Sequence, residues 1–113
     1  MNREYNTETQ RLFLEMMLED AASYVRVQNI FRADNFDRSL RPCAEFIRSH
    51  SEEHRILPTR EQIQAVTGVE LRALPDLDPA HYDWFLGEFE SFTRRQELER
   101  AILKAADLIE KGE

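Results

Sequence analysis

The segment from Asp78 to Gly112, DPAHYDWFLGEFESFTRRQELERAILKAADLIEKG, decides the fold. Asp78 is a preferred helix N-cap, and Pro79 suits the first helical position, where its missing N–H would have no intrahelical partner anyway. No later proline interrupts the segment, and Lys111-Gly112 supplies the cation and the glycine that commonly close a helix. Helical throughout, its roughly 33 residues would extend about 50 Å at 1.5 Å per residue. A compact domain of this length has a radius of gyration of only about 13 Å, so part of such a helix has to project.

The apolar residues inside the segment fall on two different faces. At 100° per residue, Tyr82, Phe85, Phe89 and Phe92 share one face with Trp84 at its edge. After the polar run Thr93-Arg94-Arg95-Gln96-Glu97, the apolar positions Leu98, Ile102, Ala105 and Ile109 form a second stripe, about 150° round from the first. One straight helix cannot turn both stripes to one core. Either it bends near Gly87 or Arg94, or its second half packs on something else, such as another copy of the chain. Little sequence is left to cover the second stripe, so the spacing is that of a helix–helix seam, with Glu97, Glu99, Arg100 and Lys104 nearby. The expected division is therefore a helical globular domain over 1–93 and a projecting arm over 94–113.

The rest of the chain supplies partners for the first stripe. Met1 to Asn6 reads as a polar, frayed start. Thr7 is a candidate N-cap for a helix whose apolar face is Leu12, Phe13, Met16 and Met17. Asp20 can cap a short second helix through Val25, and Asn29–Asn35 connects it onward, with Ile30, Phe31 and Phe36 as anchors. A third helix starts at Asp37 or Ser39, tolerates Pro42 in its first turn, and faces inward with Cys43, Phe46, Ile47 and His50. It should end near His54-Arg55, because Ile56-Leu57-Pro58 must be extended. Thr59 and Gln62 form a capping box for a helix carrying Ile63 and Val66 and stopping at Gly68. Val69–Leu77 reads as a loop or single turn. The fold class is all-α: about four short helices in a globule, then one long helix.

Composition narrows the function. One domain is the natural count for 113 residues, and three glycines with four prolines leave little material for β-turns. Twenty-two acidic against 15 basic residues give a net charge of −7, which opposes a general nucleic-acid surface. Thirteen of the basic residues are arginine, the cation suited to bidentate contacts with carboxylates. The lone Cys43 permits no intrachain disulfide and fits a reducing cytoplasm. Nothing in the sequence resembles a signal peptide or a run of about 18 apolar residues.

Catalytic signatures are missing. There is no phosphate-binding glycine loop, GxSxG, HExxH, CxxC or EF-hand pattern. His50 and His54 stand at metal-ligand spacing with Glu53 beside them, but a site needs further ligands, and helix capping is the better reading. Carboxylate pairs such as Glu52-Glu53 or Glu88 with Glu90 sit on faces expected to be solvated. The chain is expected to need no cofactor and to catalyse nothing. Arg26, Arg32 and Arg48, with Tyr24 read as exposed, make a candidate docking surface for a protein partner.

Laid in order, these pieces resemble the N-terminal domain of DnaB-like replicative helicases, in the phage branch typified by the T-even enzymes. The residues that carry the likeness are the helix pair Leu12–Val27, then Phe31 and Phe36, then the helix through Cys43-Ala44-Glu45-Phe46-Ile47. His54-Arg55-Ile56-Leu57-Pro58-Thr59-Arg60-Glu61-Gln62-Ile63 follows, and finally Asp78–Phe85 leading through Arg94-Arg95 into Leu98-Glu99-Arg100-Ala101-Ile102. The likeness spans roughly residues 10 to 112. It implies a helical globule followed by a helical hairpin. Copies would pair through the hairpins into a collar that docks primase in DNA replication, with no catalytic residue of its own. It further implies that the second stripe is the hairpin's first arm and that the return arm lies beyond residue 113. No nucleotide-binding motor follows Glu113, so the chain is expected to be either a domain excised from a longer helicase or a free-standing homologue that has lost the motor, and the end in mid-hairpin favours excision. Two other readings compete: the helicase-interacting helical domain of a primase, which shares the fold, and a small helical DNA-binding regulator reading DNA with Thr59–Gly68. The charge opposes the latter.

Overall fold

The structure, a computed structural model, describes residues 5–112. Met1–Glu4, most of the start read as frayed, and Glu113 at the end of the arm lie outside the described residues. Among the described residues there are five α-helices and one 3-10 turn: α1 (Thr7–Glu19), α2 (Ala21–Val27), the 3-10 turn Ala33–Asn35, α3 (Arg41–His54), α4 (Arg60–Thr67) and α5 (Pro79–Gly112). There is no strand among the described residues. The fold is all-α.

Local chemistry sets most boundaries. The cap of α1 is Asn6 rather than Thr7: the Asn6 side chain accepts from the Thr9 N–H at 2.9 Å. An amide oxygen one residue earlier reaches the third N–H of the helix, so Thr7 becomes the first helical residue and its hydroxyl is free to bond Asp37. Tyr5 is not frayed either, since its ring packs on Phe13 and Phe92. Asp20 stands at the start of α2, but its carboxylate takes the Ser23 hydroxyl at 2.7 Å instead of a backbone N–H. The Asp37 carbonyl accepts from Leu40 N and Arg41 N, so a turn begins there and α3 proper starts at Arg41, with Pro42 in its first turn. Arg55 closes α3 and Gly68 closes α4, both left-handed (φ 60° and 78°). Thr59 and Gln62 make both bonds of the capping box.

The core forms where α1 crosses the first half of α5. Phe13, Leu14, Glu15, Met16 and Met17 are all buried, so the middle of α1 is enclosed on every side. The Phe13 ring lies 6.0, 5.6 and 5.5 Å from those of Phe85, Phe89 and Phe92. Phe31 and Phe36, delivered by the segment around the 3-10 turn, close the same cluster against Phe89. Cys43, Ala44 and Ile47 of α3 and Ile63 of α4 complete it, whereas Val66 is exposed. Burying six phenylalanines in contact supplies large apolar area plus favourable tilted and edge-to-face ring geometry.

Three polar latches hold the periphery. Gln10, itself buried, accepts from the Asp37 N–H (2.7 Å) and donates to the Tyr5 carbonyl (2.8 Å). Glu15 takes the Arg72 N–H at 2.7 Å and its guanidinium at 2.9 Å. One turn along, Glu19 takes the Leu74 N–H at 2.8 Å and pairs with Arg60. The 69–77 loop is thus strapped to α1 by two carboxylates at i and i+4, each receiving a backbone N–H.

No break in the helix separates the two stripes of the long segment. α5 is one 34-residue helix, crossing Gly87 and Arg94 without interruption. At 1.5 Å per residue it is about 51 Å long, which matches the molecule's longest dimension of 54 Å. The radius of gyration is 15.4 Å, above the roughly 13 Å of a compact domain this size.

Candidate functional site

The site is the part of α5 that leaves the globule. Phe85, Phe89, Phe92 and Thr93 are buried; from Glu97 to Gly112 every residue is exposed. Two contacts fasten the exit point. The Gln96 side chain donates to the Asn35 carbonyl at 2.7 Å, and Arg32 pairs with Glu97 at 3.4 Å. Beyond them the second stripe lies bare: Leu98 is 60% exposed, Ile102 58% and Ile109 77%, with Ala105 exposed between them. Leu103 and Leu108 are bare as well. The arm's helicity rests on its own residues, including i, i+4 pairs between Arg95 and Glu99 (3.7 Å) and between Asp107 and Lys111 (3.2 Å).

Of the candidate docking surface, Tyr24 is buried, Arg48 lies close enough to act on its phenol, and Arg26 and Arg32 neighbour different turns of α5. Tyr24 is only 4% exposed and meets Phe31 edge-on at 5.6 Å, so it is a core residue and not an exposed anchor. Burial raises its phenol pKa, partly offset by a hydrogen bond with Ser51. In a helix as short as α2, with Ser23, Tyr24 and Val27 buried, the neighbour Val25 points outward instead. Arg26 borders a groove with Leu77, Pro79 and Asp83. Arg32 pairs with Glu97, 14 residues and about 21 Å further along α5. Arg48 pairs with Glu52 on its own helix at 3.4 Å.

A wider groove lies elsewhere, between α3 and α4. It has a volume of about 800 Å³ and is lined by Arg38, Arg41, Pro42, Phe46, Ser49 and Val66 among others. Arg41 is committed there, donating from Nε and Nη2 to the Phe36 carbonyl. Nothing in the sequence marked this groove: Val66 reads there as an apolar partner of Ile63, and only the structure leaves it exposed.

The His50 and His54 rings are 4.7 Å apart, but His50 Nδ1 faces the Ile56 carbonyl at 3.0 Å, which spends one nitrogen on closing the end of α3. Among the described residues no group of three His, Cys, Asp or Glu side chains is placed to hold a metal ion. Cys43 is buried, and burial alone pushes its thiol up to about 12. A thiol so far from its anionic form is a poor nucleophile at neutral pH. No helix among the described residues is long and apolar enough to cross a membrane. Compared with family models, with curated proteins and with solved structures, the chain gives no match in any of the three.

Proposed function

We propose that this chain is a non-catalytic assembly and docking module of the DnaB-like N-terminal type, serving DNA replication. In this reading copies associate through the α5 arm, and primase or another replisome protein docks on the globular helices. The observation that carries it is the bare stripe Leu98, Ile102, Ala105 and Ile109 on a helix held rigidly by its other half. A run of exposed leucine and isoleucine at seam spacing is what a partner helix covers. The order of elements, short helices feeding a long projecting one, supports the helicase-type version; the comparisons with known proteins lend it nothing. Light scattering over a concentration series tests the association. The wild-type chain is expected to exceed the monomer mass as concentration rises, and Ile102→Glu to remain monomeric. Strict monomers for both would overturn the reading.

A further inference from the structure

We propose that the arm pairs with the arm of a second copy in antiparallel orientation, about a dyad between Leu103 and Lys104. This rests on the assembly reading above and adds the partner, the orientation and the register. The spacing carries it. Leu98, Ile102, Ala105 and Ile109 are separated by four, three and four residues, a pattern that reads the same from either end. An antiparallel copy therefore sets Leu98 opposite Ile109 of the second copy, and Ile102 opposite Ala105 of the second copy, with the same two layers repeated across the dyad.

Layer volumes favour this arrangement. Antiparallel pairing gives Leu–Ile layers at the ends and Ile–Ala layers in the middle, each opposing a larger side chain with another or a small one with a large one. A parallel pair in register would stack Ile102 on its own counterpart and Ala105 on its own counterpart in successive layers. One helix separation cannot suit both, since close-packed interiors tolerate neither voids nor overfilling. Ala101 and Leu108 border the stripe on one flank and Ala106 on the other, and all are exposed, so the covered face is wider than four residues. No charged residue occupies the stripe itself.

Charge opposes the parallel alternative. One turn before Leu98 stand Arg94 and Arg95, 73% and 37% exposed, each in an i, i+4 pair with a glutamate of its own helix. A parallel seam continued back along α5 would bring the arginines of the two copies against each other, and like charges across an interface act as a repulsive element. In the antiparallel pair the apolar overlap ends where Ile109 of the second copy meets Leu98, and Arg95 lies beside the helix end of the second copy instead of its arginines. The two globules then lie at opposite ends of the shared seam, clear of one another.

Disulfide trapping on the full chain distinguishes the orientations. Leu98→Cys and Ile109→Cys alter exposed positions only, and the buried Cys43 stays out of the reaction. In the antiparallel pair residue 98 lies beside 109 of the second copy, while like positions are 11 residues or about 16 Å apart. A disulfide needs Cα atoms within about 7 Å. With one variant isotopically labelled and the two mixed under oxidised glutathione, the mixed disulfide is expected to exceed either self-disulfide at least tenfold. Self-disulfides in equal or greater yield would overturn the orientation while leaving the assembly reading in place. No disulfide at any concentration, together with a monomer mass by scattering, would overturn both.

Discussion

Replacing Glu15 by glutamine perturbs one of the two straps between α1 and the 69–77 loop while keeping the side chain's shape. Glu15 is fully buried, and its carboxylate receives the Arg72 backbone N–H at 2.7 Å and two guanidinium N–H groups at 2.9 Å. Glutamine can still accept the backbone N–H through its oxygen, but its amide group then meets the guanidinium donor to donor. The loss is therefore the charge-assisted, two-pronged part of the contact. Hydrogen bonds to charged groups contribute about 1.5–3 kcal/mol each, and breaking a fully buried ion pair costs about 3–5 kcal/mol. Here the Arg72 side chain is 58% exposed, so the guanidinium turns to water instead of being stranded, and solvent already screens the pair. The expected destabilisation is thus near the low end, about 2 kcal/mol, or roughly 8 °C in Tm for a domain of this size. Urea unfolding followed by far-ultraviolet circular dichroism and by the single tryptophan, Trp84, measures it. A shift under about 0.5 kcal/mol with an unchanged slope would refute the idea that this strap fixes the loop.

Two further outcomes follow from the core. Phe89→Ala removes the ring that touches Phe13, Phe31, Phe36, Phe85 and Phe92, and should cost about 3–5 kcal/mol in urea unfolding because the surrounding rings cannot all collapse into the space. The Cys43 thiol, held at about 12 against an ordinary value of 9.0, binds its proton more tightly folded than unfolded. Its contribution is fully present below pH 9 and is lost as pH rises from about 9 toward 12, so stability should decline across that window more steeply in the wild type than in Cys43→Ala.

The long helix was legible because its signals are local and repeated. Asp78-Pro79 starts it, four aromatic positions phase its first half, and the 150° jump to Leu98 already required a second environment. The capping box at Thr59 and Gln62 was legible for the same reason: both partners lie within one turn. Tyr24 was not, because a seven-residue helix completes barely two turns and offers too few positions to tell Tyr24 from Val25 as the inward one. The Glu15–Arg72 strap joins residues 57 apart in the sequence, and no periodicity reports such a partner. A signal was nevertheless present. Glu15 stands between Phe13-Leu14 and Met16-Met17, so any helical phase that buries those four encloses the carboxylate too, and an enclosed carboxylate requires donors.

The two halves of α5 depend on each other in a way that bears on assembly. A free helix of about 12–15 residues is marginal in water because its first turn costs several fixed dihedrals for one hydrogen bond. The arm from Glu97 to Gly112 is exposed throughout and is tied to the globule near its base by Arg32 on Glu97, and alone it would be such a helix. It does not have to nucleate, since the turn at Phe92-Thr93 is already locked by the core and by Gln96 on the Asn35 carbonyl. Only propagation is needed, through a stretch rich in alanine, leucine, glutamate, lysine and arginine with no glycine before Gly112. The stripe is thereby presented as a formed helix before any partner arrives, and the ordering entropy that a disordered segment would lose on binding is not charged against the association. The phenylalanine core of the globule is therefore also what makes the exposed seam competent: loosening Phe89 or Phe92 should weaken association through the arm, although neither residue lies on the surface that a partner would touch.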